Sequence, residues 1–111
     1  MQLELYTDKQ TLFVKIIGEL DHHTAEEIRN SIDFKLDNSS VKNILFDFSD
    51  LTFMDSSGIG VLMGRYKKVS KRKGQVGIYH INPQIRRIFE ISGLPGILKE
   101  YKSKKQAIEN I

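Results

Sequence analysis

"VKNILFDFSDLTFMDSSGIGVLMG", residues 41–64, changes its periodicity partway along. Val41, Ile44, Leu45, Phe46 and Phe48 make an almost continuous apolar run, the pattern of a strand covered on both faces. From Ile59 onward the apolar positions fall at helical spacing: Ile59, Leu62, Tyr66 and Val69, with Met63 beside them. Between the two lie Asp55, Ser56 and Ser57, followed by Gly58, Gly60 and Gly64. A buried strand running into a helix is half of a βαβ unit, so this stretch decides for an α/β fold. It also raises a question, because a glycine inside a helix costs about 1 kcal/mol relative to alanine.

Working outward, residues 3–5 alternate apolar and polar, "TDKQ" is a turn, and residues 11–18 are rich in β-formers. Leu12, Val14 and Ile16 fall on one face there, and Phe13, Lys15 and Ile17 on the other. The short turn predicts an antiparallel hairpin. Thr24 with Glu27 fits a capping box, and Ala25, Ile28, Ile32 and Leu36 continue as a helix that "DNSS" at 37–40 ends. Lys73 and Gly74 are expected to close the second helix with a cation and a left-handed glycine. "QVGIYHI" is a strand, and Asn82–Pro83 opens a third helix whose inner face carries Ile85, Ile88, Phe89 and Ser92. "GLPG" breaks it, "ILKEY" reads as an edge strand, and residues 104–111 as a last short helix. The prediction is a single domain over residues 1–111. It holds a mixed sheet of four to five strands, an N-terminal antiparallel hairpin followed by right-handed βαβ crossovers, with about four helices. The strands ending at Gly18, Phe48 and Ile81 should finish on one edge, which then carries Asp21, His22, His23, Asp55, Ser56, Ser57 and Asn82.

Composition narrows the function. There are 111 residues, with no cysteine for a disulfide or thiolate metal site, and a formal charge of +3 from 17 Lys and Arg against 14 Asp and Glu. That excess is too mild to argue for nucleic acid. The cluster of Lys67, Lys68, Lys71, Arg72 and Lys73, with Arg86 and Arg87 beyond it, reads as a solvated helix end, and a nucleic-acid interface is its rival. No signal peptide opens the chain, and no apolar run approaches the ~20 residues of a membrane span. A soluble, intracellular protein without membrane insertion is expected.

Enzyme motifs do not fit the serine-glycine stretch. A nucleophile elbow around Ser56 needs glycine where Met54 stands; around Ser57 it needs glycine where Asp55 and Ile59 stand. A phosphate loop needs lysine after its last glycine, and Arg65 follows Gly64. The dinucleotide fingerprint fails at Met63. Asp21, His22 and His23 lack the spacing of helical metal ligands. No catalytic residue, metal or cofactor is therefore expected. A cap from Asp or Ser at the helix mouth explains one residue of the three. Gly58 and Gly60 are expected to clear side chains from around the hydroxyls, and Gly64 to allow close helix–sheet packing. An exposed serine there suits phosphorylation, which adds about −1.5 to −2 charges at the positive end of a helix.

Three segments, "GELDHHTAEEIR" (residues 18–29), "LTFMDSSGIGVLMGRYKKV" (51–69) and "NPQIRRIFEISGL" (82–94), resemble the sporulation-type anti-sigma factor antagonists of the STAS domain family. The likeness runs over nearly the whole chain. It implies a cytoplasmic, non-enzymatic transcription regulator working by partner switching. Unphosphorylated, such a protein binds a dimeric anti-sigma factor that is also a serine kinase, and so releases the sigma factor. The kinase carries the nucleotide, and a serine phosphatase restores the active form. The resemblance puts the phosphorylated residue at Ser56, with Ser57 as second choice. It puts the partner surface at Asp21, Asp55, Ser57, Gly58, Ile59 and Gly60, with Arg65 and Lys68 on the second helix. The alternative is a STAS module serving a different, stress-response or sensory, pathway.

Overall fold

The computed structural model describes residues 2–111. Strand β1 (Gln2–Asp8) turns at Lys9 and Gln10 into β2 (Thr11–Leu20), pairing antiparallel from Gln2 opposite Ile17 to Asp8 opposite Thr11. The alternation of β2 fixes its faces, with Leu12, Val14 and Ile16 on one side and Phe13 on the other. Helix α1 (Ala25–Asp37) leads to β3 (Asn43–Asp47), and helix α2 (Ser56–Ser70) leads to β5 (Val76–Tyr79). Helix α3 (Pro83–Ile91) and a 3-10 turn at Leu94–Gly96 precede β6 (Lys99–Tyr101), and α4 (Lys104–Asn110) ends the fold. β2, β3, β5 and β6 lie side by side in parallel, with β1 antiparallel at one edge.

The expected sheet of four to five strands is present as the five-strand path. A sixth strand, β4 (Leu51–Met54), had no separate expectation. It runs parallel to the far end of β2, from Gly18 opposite Leu51 to Leu20 opposite Met54. Near its start β2 pairs with β3; near its end it pairs with β4, and the register shifts between Gly18 and Glu19. Gly18 takes φ +100°, a left-handed value open to glycine at no steric cost, and this lets the strand bend at the handover. The Gly18 N–H donates to Asp50 O, and Thr52 Oγ1 donates to Gly18 O. As a result the chain leaves the sheet at Asp55, beyond the end of β3, beside the loop that leaves β2.

Helices α1, α2 and α3 cover one face of the sheet. Ile28, Ile32 and Leu36, then Val61, Leu62 and Val69, then Ile85 and Phe89 join Phe46, Ile44 and Ile78 in one core. The other face carries a smaller core of Phe13, Leu45, Tyr79, Tyr101 and Ala107 under α4. Fully burying a side chain such as Phe46 or Phe89 contributes about 1.5–3 kcal/mol.

Three local expectations are corrected. The Thr24–Glu27 capping box is not made: Thr24 Oγ1 accepts from Asp21 N and donates to Glu19 O, so it faces back toward β2. The left-handed residue after α2 is Lys73, at φ 62°, not Gly74. Gly74 is glycine because a Cβ there would collide with the Lys42 carbonyl. Gly64 does not serve helix–sheet packing, since a Cβ on it would meet nothing within 4 Å.

Candidate functional site

Two loops meet at the carboxyl ends of β2 and β4, and two aspartates organise them. Asp55 is the N-cap of α2. Its Oδ1 accepts from the N–H groups of Ser57 at 2.9 Å and Gly58 at 3.3 Å, satisfying orphan donors of the first turn. Its Oδ2 accepts from the His22 N–H at 3.3 Å and lies 3.8 Å from His22 Nδ1. One carboxylate thus caps α2 and pins the loop after β2. Asp21 does the matching work on that loop: its Oδ1 accepts from His23 N at 2.9 Å and Thr24 N at 3.1 Å. Desolvation raises the Asp21 pKa, but the backbone donors of His23 and Thr24, with the His23 side chain and the Thr24 hydroxyl adding to them, hold the carboxyl below its ordinary value.

Ser56 is the first helical residue of α2 and is exposed; Ser57 is half-buried. Among the described residues neither hydroxyl takes a hydrogen bond, because Asp55 binds the backbone of Ser57 and not its side chain. The three glycines of this stretch divide. A Cβ on Gly58 would stand 2.6 Å from Leu20 O and 2.7 Å from Met54 Cγ, so Gly58 lets α2 seat on β2 and β4; it does not clear the hydroxyls. Gly60 faces open space, as expected of a residue that bares the approach, and Gly64 does too.

The expected partner residues separate in the same way. Ser56 and Gly60 are exposed, and Asp55, Ser57 and Ile59 are half-buried. Asp21 and Gly58 are buried, and so is Arg65, which was expected on the open face of α2. The Arg65 side chain is 9% exposed, and its Nε lies 2.9 Å from Asp33 Oδ1 on α1. It is buried because the sequence places it one helical turn from Val61 and from Val69, on the stripe that packs inward. Burial lowers its pKa, with Asp33 opposing the shift and Arg29 adding to it. Asp33 is the residue that sequence reasoning passed over; nothing in its spacing marked it as a partner of Arg65.

Two cations of the basic cluster, Lys68 and Arg72, are engaged within the fold. Lys68 pairs with Asp37 at 2.9 Å, and Arg72 donates to Leu36 O, Val41 O and Asp37. These cations tie α2 to the end of α1. No helix among the described residues is long and apolar enough to cross a membrane.

The fold and this edge define an α/β domain that displays an unbonded serine at a helix mouth. The chain belongs to the STAS domain family, whose pattern matches residues 2–107. Among similar proteins, the anti-sigma F factor antagonist of Paenibacillus polymyxa is 33% identical over 111 residues, all of this chain and 95% of the relative. The solved structure of the anti-sigma factor antagonist SpoIIAA in its unphosphorylated form is 31% identical. It superposes with a TM-score of 0.85 over 97% of this chain and 94% of that one. The Bacillus cell fate determinant SpoIIAA in its phosphorylated form is also 31% identical, with a TM-score of 0.76 over 97% of each chain.

Proposed function

We propose that this chain is an anti-sigma factor antagonist: unphosphorylated, it binds an anti-sigma factor and frees the sporulation sigma factor held there. Phosphorylation of Ser56 switches it off. The observation that carries the reading is the placement of Ser56, exposed and unbonded at the first position of α2, on a loop already held by Asp55 and Asp21. The likeness to SpoIIAA, solved with and without phosphate, supports it. The partner is a cytoplasmic anti-sigma factor that is also a serine kinase and brings ATP. In the transfer Ser56 Oγ attacks the γ-phosphorus. The bond to the β-phosphate oxygen breaks, ADP leaves, and the hydroxyl proton passes to a base on the kinase. The new dianion sits next to Asp55 at a face meant to dock, where its charge and bulk oppose contact. A serine phosphatase reverses the step by hydrolysis.

The test is incubation with a sporulation anti-sigma kinase and ATP, with the phosphate located by mass spectrometry. The expected result is modification at Ser56 and loss of the complex. Ser56→Ala should bind in ADP and accept no phosphate. Phosphate on Ser57 of that variant would move the acceptor by one residue, and absence of any complex in ADP would point to a different partner pathway.

A further inference from the structure

The sheet face turned away from α2 carries a cavity that the serine switch does not use. Strand register sets it up. Glu4 on β1, Lys15 on β2, Asp47 on β3 and Tyr79 on β5 stand in one row, each opposite the next. Residues in register on neighbouring strands point to the same face, so acid, base, acid and phenol lie side by side. The adjoining row begins with Tyr6 and Phe13, whose rings stack at 4.6 Å. Lys104, the first residue of α4, lies over both rings, 5.0 Å from one centroid and 5.2 Å from the other. These side chains line a cavity of about 190 Å³. At roughly 30 Å³ for each water in the liquid, it has room for about six non-hydrogen atoms.

Its polar groups are not used up within the fold. Tyr79 is 2% exposed, yet its hydroxyl takes no hydrogen bond among the described residues. The Tyr101 hydroxyl is sealed off by protein; that of Tyr79 is not, and the open space that Tyr79 borders is this cavity. A buried hydroxyl without a partner is costly. Burial pushes the Tyr79 pKa up, with Asp47 and Tyr6 adding to the shift, so the phenol is a donor at neutral pH. Asp47 Oδ1 accepts from the Ser49 N–H at 2.9 Å and lies 3.5 Å from His80 Nδ1, which leaves Oδ2. Lys15 is held by Asp50 at 3.1 Å, whereas Lys104 and Glu4 make no ion pair among the described residues. We propose that the cavity binds a small free α-amino acid, of the size of glycine, alanine or serine. Its carboxylate meets the Lys104 ammonium and the Tyr79 hydroxyl, and its ammonium meets Glu4 and Asp47 Oδ2. The short side chain lies against the Tyr6 and Phe13 rings. The lining holds two cations and two carboxylates, so a ligand with one charge of each sign is matched, while half of the wall opposes a plain anion or cation. The site is on the far side of the sheet from α2, so it stands independently of the anti-sigma reading.

The test is a titration of the isotope-labelled protein with alanine, followed by NMR. Saturable shifts at Tyr6, Lys15, Asp47 and Tyr79 are expected, with a dissociation constant of about 0.1–1 mM for so small a ligand. Tyr79→Phe removes the hydroxyl alone and loses no internal hydrogen bond, so its melting temperature should hold; alanine should bind it about fivefold more weakly. Lys104→Gln, at an exposed position, should weaken binding about tenfold. Acetate and methylammonium carry one charge each and should bind at least about tenfold more weakly than alanine. Either of them binding as tightly as alanine overturns the zwitterion and leaves a site for a single charge. Undiminished binding of alanine to both variants overturns the assignment to this cavity. Absence of any saturable shift with glycine, alanine or serine leaves the cavity to water and overturns the proposal outright.

Discussion

Asp55 shows how much one side chain carries at this site. Its two oxygens cap α2 and hold the backbone of His22 on the neighbouring loop, so they set where Ser56 stands. Asp55→Ala should cost about 1–2 kcal/mol in urea unfolding, the usual loss for a helix cap, and should also slow Ser56 phosphorylation; full retention of both would contradict the dual role. Asp21 predicts a pH dependence. Its folded pKa is depressed, so its contribution is fully present above its unfolded value near 3.8 and is lost as pH falls below that. Asp21→Asn should therefore flatten the acid side of the stability curve below about pH 4, measured by thermal melts. The glycines make opposite predictions. Gly58→Ala forces a Cβ against Leu20 O and should cost about 2 kcal/mol. Gly60→Ala meets open space and should stabilise the free protein by about 0.5–1 kcal/mol while weakening the complex. A destabilised Gly60→Ala would mean that α2 itself requires glycine at this position.

At the scale of elements, the end of α2 is the clearest case of local chemistry settled by a distant neighbour. Gly74 N–H donates to Val69 O at 2.8 Å and Lys73 N–H to Ser70 O at 3.0 Å, the pair of bonds that closes a helix through a left-handed residue. That residue is Lys73, because the adjoining Gly74 is committed to the close approach of Lys42 O. Lys73→Gly should then stabilise the protein by about 0.5–1 kcal/mol, read from the urea midpoint, and Gly74→Ala should destabilise it; reversal of the two signs would restore the simpler reading of this cap. The same logic separates what the sequence made legible from what it did not. Apolar periodicity located α1, α2 and α3 and, between them, β3 and β5, because the 3.6 and 2.0 repeats are properties of each segment alone. Asn82 and Pro83 announced α3 correctly, and Asn82 Oδ1 accepts from Ile85 N as a cap should. Thr24 with Glu27 looked equally good, yet Thr24 is claimed by Glu19 O and Asp21 N, two residues whose proximity depends on how β2 bends. β4 stayed hidden because four residues carry too little periodicity, and its partner is the far end of a strand already paired elsewhere. Arg65 was misplaced for a related reason: a cation on a helix is ordinarily solvated, and only packing against α1 reveals Asp33.

For the whole molecule, the switch depends on a site that is built before any partner arrives. The main core lies on the face under α1, α2 and α3, and the strand ends it positions are locked by Asp21 and Asp55. Ser56 projects from that frame at an exposed position, so a phosphoryl group has solvent to occupy and displaces no core side chain. Its charge, about −2, would take the formal net charge from +3 to roughly +1. Within the molecule the added anion feels the positive end of α2 and the repulsion of Asp55, two opposing effects each on the order of 1 kcal/mol or less at an exposed position. Phosphorylation should therefore shift the melting temperature by no more than a few degrees, since about 1 kcal/mol corresponds to roughly 4–8 °C in a domain of this size. Amide NMR shift changes on phosphorylation should be confined to the loop after β2 and the first turns of α2. The residues under α4, on the opposite face of the sheet, should keep their resonances. Shift changes spreading through β5, β6 and α4 would mean that the phosphate rearranges the domain, and the switch would then be a change of shape rather than a blocked surface.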